Sequence, residues 1–341
     1  MKLCRLHDHT ILFRVRDFIF VTYGLIAAAA FVVALGAALW YAACAGHDPS
    51  TMAAYSALAM FPAVLLGARA ASVLLDWRQF RARPWATLLR PGYVLHGGVF
   101  GGAAALIAYA AATGDPLLSL FDAWGFAMPL GEAVCRLGCY VYGCCWGRPT
   151  SGRLGVAYHS PHAKVVRLAP HLRGVRLHPT QLYASFGSLA LFAGLVALLP
   201  LRRGPGIVAG VYLVAHAGFR TLLERFRHDF RGQLWHGMTH TNLYSVLLAA
   251  AGAVYIAVGA RAAELGPPAW GAVTLTDVLL RPVPLACLVL VWVGAAAAFG
   301  VHVGQVGSWL GARARTSDGA AAASAGHPSG AARPSNVEKA A

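Results

Sequence analysis

Residues 18–44 read FIFVTYGLIAAAAFVVALGAALWYAAC, an apolar stretch without a single charged side chain. A helix needs about 20 consecutive apolar residues to cross the hydrocarbon core of a bilayer, and this stretch exceeds that length. It is also too long for the apolar part of a cleaved signal peptide, and no small-residue cleavage site follows it. The stretch therefore predicts a retained transmembrane helix and, with it, an integral membrane protein.

Similar apolar segments recur along the chain. Hydrophobic residues make up 58% of the 341 residues and charged residues only 12%, which is about half the charge of a typical soluble domain. Eight segments are long enough, or nearly long enough, to span a bilayer. They are Phe18–Cys44, Tyr55–Leu75, Tyr93–Ala112, Leu117–Val134, Leu182–Leu199, Ile207–Leu223, Leu243–Val258 and Leu279–Val303. The pattern predicts an all-α integral membrane protein with seven to eight transmembrane helices.

These segments divide the chain into six regions. They are a basic N-terminal segment (1–17), transmembrane segments one to four (18–134), a polar stretch (135–181), transmembrane segments five to seven (182–264), an extra apolar segment (279–303) and a tail (311–341). The polar stretch is too long for a tight connection, so we expect a small cap between the fourth and fifth spans. The tail is rich in Ala, Ser, Gly and Pro without apolar periodicity, which predicts disorder.

The net charge of +15 indicates contact with lipid headgroups. Basic residues beside membrane spans interact with anionic lipids, and no nucleic-acid-binding motif is present. Only three of the 28 basic residues are lysines. We therefore expect the membrane, and not a nucleic acid, as the partner of this charge.

Polar side chains inside the apolar segments are candidate functional residues, because burying them in a membrane is costly. Tyr23 lies in the first segment, either as an interfacial tyrosine or as a buried hydroxyl that needs a partner. His96 lies in the third segment, directly before Gly97 and Gly98, and glycines allow backbone or ligand to approach closely. A histidine packed at a glycine-rich helix crossing explains the same string equally well.

The remaining candidates lie around the cap and in the later segments, and three of them are arginines. Around the cap they are Arg136, Gly147-Arg148 and His178. Tyr183 lies in the fifth segment, and Arg220 and Glu224 lie near the end of the sixth. Arg220 and Glu224 are four residues apart, which places them on one helix face. A guanidinium offers planar, paired donors that suit a phosphodiester. Anchoring by positive charge and a purely structural ion pair are the alternatives.

Four of the seven cysteines cluster around the start of the cap, at Cys135, Cys139, Cys144 and Cys145. They could ligate a soft metal ion or form a redox pair. Their spacing is not that of two C-x2-C pairs, and no histidine stands at zinc-finger spacing. Buried cysteine often behaves as a small hydrophobe, so we favour that interpretation and expect no metal.

In their order and spacing, these motifs resemble those of the bacterial prolipoprotein diacylglyceryl transferases, from about Tyr23 to Ser245. The matching strings are Tyr23-Gly24-Leu25, Gly67-Ala68-Arg69, His96-Gly97-Gly98, Asp122, Arg136-Leu137-Gly138, Gly147-Arg148, His178-Pro179-Thr180-Gln181-Leu182-Tyr183, and Arg220 with Glu224. The string from His178 to Tyr183 is the most specific of them.

The resemblance implies a multi-pass enzyme of the bacterial plasma (inner) membrane whose cap faces outward. Such enzymes move the diacylglyceryl group of phosphatidylglycerol to the cysteine thiol of lipoprotein precursors and release glycerol phosphate. The expected partners are therefore phosphatidylglycerol, the signal peptides of lipoprotein precursors and the bilayer. No cofactor is expected.

The resemblance also implies roles for individual residues. His96 would deprotonate the substrate thiol, since the thiolate is the nucleophile. Arg136 and Arg220 would hold the phosphodiester and neutralise the leaving phosphate, and Glu224 would orient Arg220. The substrate-binding candidates are Tyr23, Arg69, Gly97, Gly98, Gly147, Arg148, His178 and Tyr183.

The signature after Arg136 departs from the family pattern. That pattern is approximately Gly-Asn-Phe-x-Asn-Gly-Glu-x-x-Gly, whereas residues 138–147 read GCYVYGCCWG. Both asparagines and the glutamate are replaced, two of the three by cysteine, and Ala184 stands where the family has Glu. Two alternatives follow: a divergent protein of the same fold that modifies or binds a different lipid or thiol, and a non-catalytic lipid-binding protein.

Overall fold

A computed structural model of the chain describes residues 9–16, 18–89, 92–201, 204–228, 240–262, 270 and 272–303. Most of these residues are helical. The helices are α1 Thr22–Cys44, α2 Pro49–Tyr55, α3 Phe61–Leu75, α4 Trp77–Ala82, α5 Pro84–Leu89, α6 Leu95–Thr113, α7 Leu117–Tyr142, α8 Lys164–Leu168, α9 Thr180–Leu198, α10 Ile207–Glu224, α11 His240–Gly259, α12 Leu275–Leu279 and α13 Pro282–Gly300. The strands are β1 Ile11–Val15, β2 Phe18–Val21, β3 Val156–Ala157, β4 Arg176–Leu177 and β5 Val301–Val303. One π-helical turn, Ser56–Met60, joins α2 to α3.

Seven of the described helices are long and apolar enough to cross a membrane. They are α1, the continuous helix Pro49–Leu75, α6, α9, α10, α11 (from Thr241) and α13. This confirms the predicted all-α integral membrane fold. An eighth long helix, α7, packs against α1, α9 and α10 and carries Asp122, Glu132 and Arg136.

α1 lies at the centre of the bundle, with α7 and α13 packed along it. The reason is in its sequence, because alanines on several of its faces let neighbouring helices approach closely. Ala28, Ala38 and Ala42 are completely buried, and so are the larger Leu39 and Tyr41. The stretch that predicted a membrane span thus also forms the packing centre of the protein.

Asp122 has a structural role in the bundle. It is completely buried, and its carboxylate accepts hydrogen bonds from the backbone N–H groups of Gly206 and Ala209, both at 2.8 Å. These donors belong to the first turn of α10, where intrahelical partners are lacking. Asp122 therefore fixes the start of α10 against α7, and α10 carries Arg220 and Glu224.

The cap was predicted to begin at residue 135, and α7 continues beyond that position. α7 runs eight residues past the predicted end of the fourth span and stops at Tyr142, where Gly143 adopts a left-handed conformation (φ +73°). Arg136 and Cys139 thus lie on α7 and not in the loop that follows it. The cap itself has a small core of Tyr158, Ala163, Val165, Val166, Leu172 and Leu177, and β3 pairs with β4.

The extra apolar segment is an integral part of the fold. It forms α13, which packs on α1 and α2, and its continuation β5 pairs with β2. The predicted basic N-terminal segment contributes β1, so the three strands form an antiparallel sheet in the order β1-β2-β5. The sheet also takes up Phe18–Val21, which was predicted to be helical. The predicted disordered tail lies outside the described residues.

Candidate active site

Arg136 and Glu132 form an ion pair on the last two turns of α7. Their spacing of four residues places both side chains on one helix face. The Arg136 Nε atom donates to Glu132 Oε1 at 3.0 Å, and its Nη2 atom lies 2.5 Å from the same oxygen. Both side chains are largely buried, at 16% and 18% exposure. A guanidinium is therefore held inside the bundle by a carboxylate of its own helix.

The α10 helix brings three more charged or titratable groups to the same place. His216, Arg220 and Glu224 follow each other at intervals of four residues along one face of α10. His216 Nδ1 lies 3.3 Å from Glu132 Oε2, and Arg220 Nη1 lies 2.9 Å from Glu224 Oε2. We call these five residues the α7–α10 cluster: Glu132, Arg136, His216, Arg220 and Glu224. The cluster contains both Arg136 and Arg220, which were predicted from two separate segments of the sequence.

Glu132 and His216 were missing from the predicted site. Glu132 binds both Arg136 and His216, so it links the two helices. The signal was present in the sequence, since each residue stands one helical turn before a predicted arginine. Only the packing of α7 on α10 shows that the two turns face each other.

Tyr23 lies beside the same turn of α7. Its hydroxyl is 3.6 Å from the Cys135 sulfur, next to Arg136 in the chain. Its ring covers Gly138, where a Cβ atom would come within 3.0 Å of the tyrosine Cδ2 atom. The Arg136-Leu137-Gly138 string thus combines a charged residue with the space that Tyr23 requires.

Gly147-Arg148 lies between His178 and the end of α10. Backbone hydrogen bonds of 2.9 Å run from His178 N–H to Arg148 C=O and from Arg148 N–H to Phe226 C=O. A Cβ on Gly147 would meet the His178 carbonyl oxygen at 2.5 Å, so only glycine fits there. His178 Nδ1 is 3.2 Å from the Tyr183 hydroxyl. The cap motifs are therefore fastened to the same end of α10 as Arg220 and Glu224.

His96 is placed by other helices. It stands in the first turn of α6, and its ring lies against Tyr244 of α11, with 3.7 Å between ring centroids. The ring is exposed at the surface of the protein. This ring contact joins α6 to α11 and does not test the role of His96 as the base, which remains a prediction.

Three other predicted substrate-binding residues have structural roles. The Arg69 guanidinium donates to backbone carbonyls of Thr87 and Leu88, at the end of α5, and of Gly92 at 2.9 Å, and so holds the end of α5 against α3. Gly97 and Gly98 are buried where α6 crosses α3. A Cβ on Gly97 would lie 2.2 Å from the Gly67 carbonyl oxygen. For the glycines, the helix-crossing alternative is the one the geometry supports.

The chain matches a family model and many curated proteins. The model for "Prolipoprotein diacylglyceryl transferase" matches residues 10–258. Among similar proteins, each named phosphatidylglycerol–prolipoprotein diacylglyceryl transferase, one from Symbiobacterium thermophilum is 30% identical over 61% of this chain and 76% of its own. One from Clostridium tetani is 27% identical over 50% and 66%, and one from Legionella pneumophila (strain Corby) is 32% identical over 51% and 63%.

The match thus spans about two thirds of the length of these relatives. The match to the family model, over residues 10–258, includes α7 and α10 in full and therefore every residue of the α7–α10 cluster. By its sequence over residues 10–258, the chain belongs to the prolipoprotein diacylglyceryl transferase family.

Proposed function

We propose that this protein transfers the diacylglyceryl group of phosphatidylglycerol to the cysteine thiol of lipoprotein precursors. The observation that carries the proposal is the α7–α10 cluster, in which two arginines lie largely buried in a transmembrane bundle. Arginine binds phosphate oxygens through paired donors, and a buried site strengthens that interaction. The relatives carry this activity in their names.

The reaction makes one C–S bond and breaks one C–O bond. The substrate thiol loses its proton, and the thiolate attacks the glyceryl carbon that carries the phosphate. The C–O bond to the phosphate breaks as the C–S bond forms, and glycerol phosphate leaves with the electron pair. Arg136 and Arg220 would stabilise the negative charge that develops on the leaving phosphate.

The charge balance of the cluster favours a base close to the arginines. With His216 neutral, two arginines and two glutamates sum to zero, and a bound phosphodiester makes the site negative. Uptake of the thiol proton by His216 would place a positive charge beside the leaving phosphate, which gains a second negative charge as the C–O bond breaks. His216 is therefore a second candidate base besides His96, and the two are distinguishable by experiment.

The substrates determine where the enzyme works. Phosphatidylglycerol enters from the bilayer, and the precursor presents its cysteine in a signal peptide at the membrane surface. Tyr23 lies beside the turn of α7 that carries Arg136, and Arg148, His178 and Tyr183 lie where the cap meets the end of α10. A headgroup or peptide would pass there. We accordingly place this multi-pass protein in the bacterial plasma (inner) membrane.

Complementation tests the proposal. In cells depleted of their own transferase, the wild-type chain should restore growth, and a reporter lipoprotein should gain the mass of one diacylglyceryl group on its cysteine. Arg220→Ala should fail at equal membrane abundance. Arg153→Ala, which removes an exposed arginine of the cap, is the matched control and should restore growth.

A second assay follows the leaving group. Membranes supplied with headgroup-labelled phosphatidylglycerol and a signal peptide should release labelled glycerol phosphate only when the peptide has its cysteine. A wild-type chain that is abundant in the membrane but forms no adduct would contradict the proposal. Retained binding of phosphatidylglycerol in that case would favour a non-catalytic lipid-binding protein.

A further inference from the structure

Three cysteine sulfurs converge where α7 ends. Cys139 stands on the last turn of the helix, and Cys144 and Cys145 follow in the turn after it. Their Sγ atoms all lie within 4.8 Å of one another. Sulfurs around one tetrahedral ion with bonds of about 2.3 Å are roughly 3.8 Å apart, so small side-chain rotations close this gap.

The backbone that presents these thiols is fixed in an unusual shape. Cys145 adopts a left-handed conformation (φ +59°), which residues with a side chain rarely do. The Cys144 carbonyl accepts from Gln181 Nε2 at 2.6 Å, and the Cys145 carbonyl accepts from Thr180 Oγ1 at 2.7 Å. Both donors are buried. Three cysteines that served only as small hydrophobes would not need so constrained a turn.

The electrostatic surroundings suit thiolates. Arg227, only 5% exposed, interacts with Cys145, and Arg136 interacts with both Cys139 and Cys145. Three thiolates around a divalent ion carry one net negative charge, which the Arg227 guanidinium would compensate, since the charge of Arg136 is already paired with Glu132. Burial of the thiolate form is therefore compatible with this part of the protein.

We propose that Cys139, Cys144 and Cys145 form a binding site for one soft d10 metal cation, such as Zn²⁺ or Cu⁺. Thiolates select such ions over hard cations. The ion would tie the end of α7 to the cap, next to the turn that Thr180 and Gln181 hold. Within the part of the chain that the structure describes, no histidine or carboxylate joins the three sulfurs at this spacing. Water would complete the coordination.

Cadmium binding tests the site on the full-length protein in detergent micelles. Titration with Cd²⁺ under reducing conditions should give sulfur-to-metal charge-transfer absorption that saturates at one ion per chain. Cys139→Ser, Cys144→Ser and Cys145→Ser should each weaken binding by more than about tenfold, since even outer-shell changes cost that much. Cys287→Ser, in a buried position on α13, is the control and should bind as the wild type does.

Differential alkylation covers the case in which a variant fails to fold. In the wild-type protein, Cd²⁺ should protect the partly exposed Cys144 and Cys145 from an alkylating reagent and leave Cys135, which is also partly exposed, unchanged. Equal Cd²⁺ affinity in the triple-serine variant would overturn the proposal. A disulfide between two of the three, in protein isolated without metal under inert gas, would do so as well and indicate a redox pair. Neither readout depends on transferase activity.

Discussion

Arg136 and Arg220 lie within one cluster, yet each is held by a carboxylate of its own helix. Replacing either with alanine removes a donor to the phosphodiester and leaves a buried glutamate without its cation. We expect transfer to fall by at least about 10²-fold, as for loss of one donor to a developing oxyanion. Lysine keeps the charge but not the planar pair of donors, so it should recover only part of the rate. The measurement is thioether formation in membranes at equal protein abundance.

A near-normal rate for either alanine variant would remove that arginine from the phosphate site. Glu132→Gln provides a related control. It keeps the shape of the side chain but removes the charge that Arg136 and His216 share. Its defect should exceed that of the exposed-arginine variant Arg153→Ala.

The pH dependence of His96→Ala and His216→Ala identifies the base. A general base contributes about 10²–10⁴-fold, and this contribution matters most while the substrate thiol is protonated. A cysteine thiol ionises near pH 8.5, so the variant that lacks the base should regain activity above about that pH. The other variant should show a defect that does not change with pH. The rate of transfer to a cysteine-containing signal peptide, measured from neutral to alkaline pH, distinguishes them.

If neither variant recovers at alkaline pH, both histidines bind or orient groups and neither is the base. The family resemblance favoured His96 as the base, and the glycines that follow it belong to the crossing with α3. His216 was not predicted, because the sequence around a lone histidine on an apolar helix contains no motif that indicates a site. Its importance comes from Glu132, on another helix.

Among the helices, the crossing of α3 and α6 makes a quantitative prediction. A Cβ at Gly97 would lie 2.2 Å from a carbonyl oxygen of α3, whereas one at Gly194 of α9 would meet nothing within 4 Å. Gly97→Ala should therefore force the helices apart at a cost of about 1–3 kcal/mol. Gly194→Ala should be neutral or stabilising by up to about 1 kcal/mol, because alanine favours helix. Thermal unfolding in one detergent compares the two, and equal melting temperatures would contradict the close crossing.

Asp48 starts the long helix Pro49–Leu75 and makes its stability depend on pH. Its carboxylate accepts from the Thr51 hydroxyl at 2.6 Å and the Thr51 N–H at 2.8 Å. These bonds to Thr51, the hydroxyl bond first, lower the pKa of Asp48. The stabilisation is complete above the ordinary aspartate pKa of about 3.9 and is lost as the pH falls through the lowered value. The difference in melting temperature between wild type and Asp48→Ala should therefore shrink at acidic pH.

Asp48→Asn is the control for this prediction. An asparagine oxygen can still accept from the Thr51 N–H, so much of the cap remains without a titrating group. Its melting temperature should follow that of the wild type at neutral pH. A wild-type to Asp48→Ala difference that stays constant down to the most acidic pH would show that the charge of Asp48 adds nothing.

A second group of polar contacts, at the same end of the bundle, joins the loop after α1 to the start of α7. His47 Nε2 lies 2.9 Å from Ser119 Oγ, and His47 Nδ1 lies 3.0 Å from Asp115 Oδ1. These are the distances of a hydrolytic Ser-His-Asp triad. Ser119 is only 1% exposed, which leaves no surface for a substrate. The trio instead fastens the loop after α1 to the first turn of α7, and the match in residue types is not a sign of hydrolase activity.

For the whole molecule, the orientation of the cap is the main expectation. α1 and α7 are antiparallel, since Tyr23 lies beside Cys135 and Tyr41 beside Asp122. The cap and the loop after α6 are therefore at opposite ends of the bundle. The basic residues of the cap suggest the cytoplasm by the positive-inside rule, whereas the proposed function requires an outward cap. Arginines bound within the cap would not act as topology signals.

Cysteine labelling decides this orientation. A membrane-impermeant thiol reagent applied to intact spheroplasts should label Ser151→Cys in the cap and not Thr113→Cys at the opposite end. Both positions are exposed, whereas Ala163 in the middle of the cap is completely buried and would give no information. The native cysteines are replaced in both variants. Labelling of Ser151→Cys only after the membrane is broken would place the cap inside and contradict the proposed transfer to exported precursors.

The sequence by itself determined the all-α membrane class of the protein and its family. Hydrophobic length alone decides whether a helix can cross a bilayer, so these segments could be read without any knowledge of their neighbours. The ends of these segments were predicted less accurately than their positions. α7 continues through Arg136 to Tyr142 because Glu132 and the packing of α10 satisfy its charged side chains, and a hydropathy pattern ends where charge begins.

Only the tertiary structure decided which polar residues act together. Helical spacing relates Arg136 to Glu132 and Arg220 to Glu224, but the contact between Glu132 and His216 joins residues 84 positions apart. The same holds for the three cysteines, whose sulfurs meet because Gly143 ends α7 and the buried Thr180 and Gln181 hold the turn after it. The local sequence shows which polar and charged side chains would be costly to bury. How these groups combine into one site is determined by the packing of the helices, because a contact such as that between Glu132 and His216 forms only across the bundle.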